Sequence, residues 1–277
     1  MMLVNGVSKE HIAVTDRGFQ YGDGLFETIA VANGQAVFLD RHLSRLNAAC
    51  LRLSLPFPGN ELLTSEAETL SRHSTQAVLK IILTRGVGGR GYRQPVPIQT
   101  TRVLSLHPFP DYPASYHELG VVLRFCSTRL GLNPTLAGMK HLNRLEQVLA
   151  RAEWNDDGIQ EGIMMDINGH VIEGTMTNLF YVKHNAIFTA ALTSAGIAGI
   201  VRGIVMELAV SLGLPVIECA YIKADLLAAD EVFVCNSVIG IWPVKQIDGI
   251  AFAVGQNTRR LQECFGQLQL KVVGNAG

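Results

Sequence analysis

The chain has 277 residues, 48% of them apolar and 17% charged, with a net charge of -1. That length suits one or two domains with a sizeable core. A near-neutral surface without a basic run leaves no footprint for nucleic acid, no apolar stretch reaches the length of a membrane span, and residues 1–6 lack the basic start and apolar run of a secretory leader. A cytoplasmic protein with neither nucleic acid nor membrane as partner is expected.

Asn5-Gly6 is a hairpin signal between two short strands. Residues 16–24 are glycine-rich, but no Gly-Lys-Ser/Thr follows, so they are not a P-loop. Residues 25–31 read as a strand, which Asn33-Gly34 turns back into 36–38. Asp40 is placed to cap a helix whose apolar face is Leu43, Leu46, Ala49, Cys50 and Leu53. A second helix is expected over 61–72, a strand over 77–84, a loop over 85–92 and a strand over 102–106. Three prolines mark 108–117 as a linker between a small α+β domain, 1–107, and a larger one, 118–277.

In the larger domain a strand over 120–125 precedes the segment 138–147. There Asn143 and Glu146 have the N-x-x-E spacing of a capped helix start, which predicts a helix to about Trp154 with Lys140 on the turn before it. Hairpins are expected over 162–166 with 171–173 and over 178–182 with 186–189. A helix follows over 201–212, then strands over 215–219, 231–235 and 241–245, and a last helix over 256–265. Without a βαβ rhythm or a Rossmann fingerprint, the fold class is α+β with a barrel-like sheet.

The chemistry-bearing candidates are dispersed. Lys140 lies among apolar residues, which suits an amine held in a cavity or an ordinary snorkelling lysine. Gly199-Ile200-Val201 opens a helix whose free N–H groups suit a phosphate. Asn236-Ser237 adds amide and hydroxyl donors, or is a plain turn. Arg45 offers a charged fork, or is a helix-surface charge. In the loop 85–92, Arg90 and Tyr92 can hold a carboxylate, or are solvated. Five scattered cysteines without C-x-x-C spacing and eight dispersed histidines support neither a metal centre nor a disulfide framework.

The run M-K-H-L-N-R-L-E-Q at 139–147, the E-G-x-x-x-N-x-F run from Glu173 to Phe180, Arg45, the 85–92 loop, the Gly199 turn and Asn236-Ser237, in that order, resemble the fold-type IV pyridoxal phosphate enzymes, the class IV aminotransferase family. The resemblance runs from Asn5 to about residue 245. It implies a two-domain pyridoxal 5'-phosphate enzyme acting as a homodimer on a small molecule. It places Lys140 on the cofactor aldehyde and as general base, and Glu173 on the ring nitrogen. Asn178 and Phe180 then shape the pocket. Arg45, Gly199, Ile200, Val201, Asn236 and Ser237 serve the phosphate, and Arg90 and Tyr92 the substrate. Within the family, the 139–147 run and the R-G-x-G-G-R-G-Y loop are similar to the aminodeoxychorismate lyases. That implies conversion of 4-amino-4-deoxychorismate to 4-aminobenzoate and pyruvate in folate synthesis, with Thr28 steering the leaving group. Phe26-Glu27 resembles aminotransferases of the same fold, which makes amine transfer from D- or branched-chain amino acids the alternative.

Overall fold

A computed structural model describes residues 1–274. The chain forms two compact units. The first comprises Met1–Pro110, Met139–Asn143 and the described residues from Gln269 onward. Its elements are β1 (Met2–Val4), β2 (Val7–Ser8), α1 (Arg17–Tyr21), β3 (Gly24–Ala32), β4 (Gln35–Ala36), α2 (Leu39–Arg52), α3 (Asn60–Ser71), β5 (Gln76–Thr84) and β6 (Thr101–Pro108). The strands form one antiparallel sheet in the order β2-β1-β6-β5-β3-β4.

Alternation along the strands gives this sheet two unlike faces. Ile29, Leu79, Ile81, Leu83 and Leu104 are buried on the face that α2 and α3 cover, and Glu27 lies among them. Phe26, Thr28, Lys80 and Ile82 stand on the other face, paired Phe26 to Ile82 and Thr28 to Lys80, and are half-buried. The turn chemistry follows the sequence. Asn5 and Gly6 have φ of 51° and 82°, and Asn33 and Gly34 have 50° and 81°, the left-handed pairs that match strand twist in a two-residue hairpin. Leu43, Leu46, Ala49 and Cys50 bury one stripe of α2, with Leu53 half-buried beyond its end. Asp40 does not cap α2. Phe38 occupies the cap without a side-chain bond, and Asp40 sits in the first turn, where its charge suits the helix dipole. The glycine-rich stretch is not all loop. Asp16 accepts the Gly18 N–H at 2.8 Å and starts α1, and Gly22 ends it at φ 64°.

The second unit comprises Asp111–Gly138 and Arg144–Leu268. It holds α4 (Ala114–Leu119), β7 (Val121–Leu130), α5 (Leu145–Arg151), β8 (Glu161–Asp166), β9 (Val171–Gly174), β10 (Asn178–Lys183), β11 (Ala186–Ala190), α6 (Ile200–Ser211), β12 (Val216–Cys219), α7 (Lys223–Leu227), β13 (Glu231–Asn236), β14 (Gly240–Ile247), β15 (Ile250–Ala251) and α8 (Gln256–Gly274, whose last residues fall in the first unit). The strand order is β12-β11-β10-β13-β14-β7-β8-β9, with β15 on β14. The sheet curls until β9 meets β10 and β11, the barrel-like form expected. Leu123, Ile163, Leu179, Val234, Trp242 and Val244 fill the core of this unit.

The division falls at 110/111, within the proline segment 108–117, but that segment is only partly irregular. Pro108 ends β6, and Pro113, with its fixed φ, stands at the start of α4. Nor is the second unit one stretch. Residues 139–143 group with the first unit because they pair with β3. Residues 275–277, assigned from sequence to the larger domain, lie outside the described residues. Among the described residues, no helix is long and apolar enough to cross a membrane.

Candidate active site

Lys140 is positioned by a strand and not by a helix cap. The Phe26 N–H donates to its carbonyl at 2.9 Å, and the Leu142 N–H donates to the Gly24 carbonyl at 3.0 Å. α5 begins only at Leu145, with Arg144 at its cap and no side-chain cap bond. The expected capping pair is spent elsewhere: the Asn143 amide donates to the Gly22 carbonyl at 3.2 Å, and Glu146 accepts the Gly131 N–H at 2.8 Å. Pairing with β3 leaves the Lys140 amine 4.2 Å from the centre of the Phe26 ring. The Lys80 amine stands 5.5 Å from the same centre. Both amines thus lie within cation–π range of Phe26, with Thr28 one alternation further along β3. Sequence reasoning passed over Lys80. Its signal was a single cation inside the apolar run of β5.

On the opposite face of β3 lies a buried polar cluster. Arg45 Nε donates to Glu27 Oε1 at 2.9 Å, its Nη2 donates to Oε2, and His42 Nδ1 is 2.6 Å from Oε2. Burial pushes the Glu27 carboxyl up, but the charge of Arg45 and the bonds from His42 and Arg45 outweigh it and bring it down to about 2. Burial pushes His42 below its ordinary value against the pull of Glu27, and the charges of Arg45 and Lys140 add to the fall. Because the Glu27 carboxylate can only accept, His42 donates from Nδ1. Arg45 sits on this cluster with its Nε and Nη2 edge turned to Glu27.

The 85–92 loop is anchored at its base. Arg17 is buried and donates to Asp23 at 2.8 Å, and to the carbonyls of Gly91, Tyr92 and Arg93 at 2.9, 3.3 and 3.4 Å. Arg85 donates to the same Asp23 oxygen at 2.8 Å and to the carbonyls of Leu53 and Ser54. It is a buried strut, not a solvated loop residue. Burial raises the Asp23 carboxyl, and the two arginines more than reverse that, leaving it below its ordinary value. Arg90 is exposed, and Tyr92 is 86% exposed, with its ring meeting Tyr21 edge-on at 5.5 Å.

In the second unit Glu173 and Asn178 grip the backbone of one residue, Ile197, from both sides. Glu173, 3% exposed, accepts the Ile197 N–H at 2.8 Å, and the Asn178 amide donates to the Ile197 carbonyl at 2.8 Å. Gly138 braces the same turn: its N–H donates to the Gly196 carbonyl at 2.9 Å, and its carbonyl accepts from Ala198 at 3.0 Å. The turn leads into α6, where Gly199 is the cap and supplies no side-chain acceptor. The first N–H groups of α6, at Ile200 and Val201, are therefore not taken by a cap side chain, which suits an anion. Gly199 is required there, because a Cβ would fall 2.0 Å from Asn178 Oδ1. Phe180 stacks on Phe233 at 5.0 Å and belongs to the core. Asn236 is largely committed to its own turn. Its oxygen accepts the N–H groups of Val238 and Ile239, and its amide donates to the Met176 carbonyl at 3.1 Å. Ser237 stands half-buried beside it.

Glu161 also escaped the sequence reading. Fully enclosed, it accepts from the N–H groups of Gly162, Thr175 and Met176 and the hydroxyls of Thr175 and Thr177. Burial pushes its carboxyl above the ordinary value against those bonds. It moulds the turn between Glu173 and Asn178 and so fixes the spacing of the two residues that hold Ile197. A lone glutamate at the head of an apolar strand carried no sign of this role.

The amino-transferase class IV family model matches residues 24–247. An aminodeoxychorismate lyase of Vibrio harveyi is 41% identical over 266 residues, covering 95% of this chain and 98% of that one. The crystal structure of 4-amino-4-deoxychorismate lyase from Pseudomonas aeruginosa superposes with a TM-score of 0.92 at 44% identity, covering 98% of both chains. A branched-chain-amino-acid aminotransferase of Escherichia coli K12 is 30% identical over 267 residues, covering 92% of this chain and 86% of that one. With matches that span nearly all of its length, the chain belongs to the amino-transferase class IV family.

Proposed function

We propose that this chain is a pyridoxal phosphate-dependent carbon–oxygen lyase that converts 4-amino-4-deoxychorismate to 4-aminobenzoate and pyruvate, a step of folate synthesis. The observation that carries the reading is likeness over nearly the whole chain to two such lyases at 41% and 44% identity, against 30% for the aminotransferase.

The donor set suits the cofactor. Lys140 offers an amine for the aldehyde, and buried Glu173 a carboxylate for the ring nitrogen. Arg45, the N–H groups of Ile200 and Val201 at the uncapped start of α6, and the Ser237 hydroxyl suit the phosphate. Asn178 and Gly199 shape the turn, and Asn236 holds its own loop for Ser237. When bound, the cofactor would supply an electron sink for the charge left at substrate C4. Lys140 Nζ takes the C4 proton as general base. The adjacent C3–O bond breaks, pyruvate leaves as its enol, and aromatisation of the ring drives the step. Thr28 Oγ, on the face that carries Phe26, steers the departing oxygen. The substrate carries two carboxylates; Lys80, and Arg90 with Tyr92, supply the donors for them.

Glu27 faces α2 and Arg45, away from the side of β3 that carries Phe26. A cytoplasmic homodimer is part of this reading, and a solution mass of one chain would remove it.

Lys140→Ala is expected to abolish both product formation and the colour of the lysine-bound cofactor. Near wild-type turnover without an added amine would overturn the role. Glu173→Gln is expected to keep the cofactor and lose most of the rate, whereas a minor loss would take Glu173 off the ring nitrogen.

A further inference from the structure

The fork of Arg45 is divided between two edges. Its Nε and Nη2 are held side-on by the two oxygens of Glu27. A planar guanidinium bound this way keeps its other edge, Nη1 and the outer hydrogen of Nη2, directed away from the carboxylate. Glu27 is itself fixed, at 1% exposure on β3 and with His42 Nδ1 2.6 Å from Oε2. His42 is one helical turn before Arg45 on α2, fully buried, and its Nε2 has no hydrogen-bond partner among the described residues. A buried ring nitrogen without a partner is a cost that an apolar side chain of similar size would not carry. The site therefore keeps an imidazole for the bond that its other nitrogen makes to Glu27. Sheet and helix together hold the arginine in one orientation.

We propose that Glu27 and His42 are positioning residues that present Arg45 end-on to the cofactor phosphate, and so set the preference of the protein for the phosphorylated cofactor over its unphosphorylated form. This rests on the reading above that Arg45 serves the phosphate. Both residues act through the guanidinium, whose rotamers they restrict before any anion arrives.

The test is loss of cofactor from the loaded full-length protein on dilution, followed by visible absorbance. It is run in parallel on protein loaded with pyridoxal 5'-phosphate and with pyridoxal. Glu27→Gln keeps the volume of the side chain and removes the charge that orients Arg45. It is expected to release pyridoxal 5'-phosphate about 10-fold faster and to change pyridoxal release less than about twofold. His42→Leu, which removes the Nδ1 donor without adding a polar group, is expected to move release in the same direction by a smaller factor. Arg45→Lys cannot serve carboxylate and phosphate with one fork, and is expected to release the phosphorylated cofactor at least as fast as Glu27→Gln. In the double variant the freed ammonium can turn to the phosphate, so release is no faster than in Arg45→Lys alone. Equal acceleration of both cofactors by Glu27→Gln would make Glu27 a support of the fold and overturn the proposal, as would losses that multiply in the double variant. Failure of Arg45→Lys to distinguish the two cofactors would instead overturn the underlying assignment of Arg45 to the phosphate.

Discussion

Gly199→Ala tests the claim that the start of α6 is built around Asn178. The backbone at Gly199, φ -65° and ψ 146°, is open to any residue, so a cost would not come from strain of the main chain. It would come from the new Cβ, which falls 2.0 Å from Asn178 Oδ1 and 3.5 Å from Arg202 Cβ. Asn178 is 6% exposed, and its amide holds the Ile197 carbonyl at 2.8 Å, so it cannot withdraw without giving up that bond. Overpacking a buried site costs about 1–3 kcal/mol, and a hydrogen bond lost from a buried amide adds about 1 kcal/mol. The expected destabilisation is about 2–4 kcal/mol, read from urea unfolding of the wild type and the variant. Asn178→Ala removes the atom that is struck, so in that background Gly199→Ala is expected to cost at least about 1 kcal/mol less. Costs that add within about 0.5 kcal/mol would refute the reasoning, because the methyl would then not be meeting Asn178.

Other consequences follow from the same contacts. Arg17→Gln removes the donors to the carbonyls of residues 91–93, and is expected to speed tryptic cleavage after Arg90 and Arg93 and to raise KM more than it lowers kcat; unchanged proteolysis would show that the loop is held by other bonds. Glu27, held at about 2 against an ordinary 4.5, contributes stability that is complete above pH 4.5 and is lost as pH falls towards 2, worth up to about 3 kcal/mol. Glu27→Gln is therefore expected to flatten the fall of unfolding free energy across that window, and an unaltered slope would contradict the assignment. Glu161→Gln puts an amide where only acceptors fit, and is expected to destabilise the fold by about 2–4 kcal/mol and to weaken cofactor retention with it; a stability within about 0.5 kcal/mol of wild type would mean the turn at 174–177 does not depend on that carboxylate.

The parts of the fold that local chemistry determines were readable in the sequence. The two Asn-Gly hairpins, the apolar stripe of α2 and the strand runs over β3, β5 and β10 each rest on neighbours within a few residues. What escaped rests on distant partners. Asn143 and Glu146 have capping spacing, but the Gly22 carbonyl and the Gly131 N–H claim them, so α5 starts late and Lys140 lies on a strand-like segment. Helix α4 was hidden by prolines that ended β6 and opened the helix without entering it. For the candidate site, Lys140, Glu173, Asn178 and Arg45 are proposed from their resemblance to a family pattern. Lys80, Arg17, His42 and Glu161 are not, because their significance lies in which strand face or which carbonyl the fold brings to them. Asn236 was read as a phosphate donor, and its side chain largely holds its own turn; Arg85, at the head of the expected 85–92 loop, holds the Leu53 and Ser54 carbonyls.

The central claim is the fate of the substrate's carbon–oxygen bond. The most direct measurement supplies the purified protein with freshly prepared 4-amino-4-deoxychorismate, following 4-aminobenzoate by fluorescence and pyruvate in a coupled assay, with parallel incubations of D- and branched-chain amino acids and a keto acid acceptor. The expected result is equal formation of 4-aminobenzoate and pyruvate, absent in Lys140→Ala, with little amine transfer in the parallel incubations. Amine transfer from an amino acid by cofactor-loaded protein that forms no 4-aminobenzoate would contradict the account and make the chain an aminotransferase.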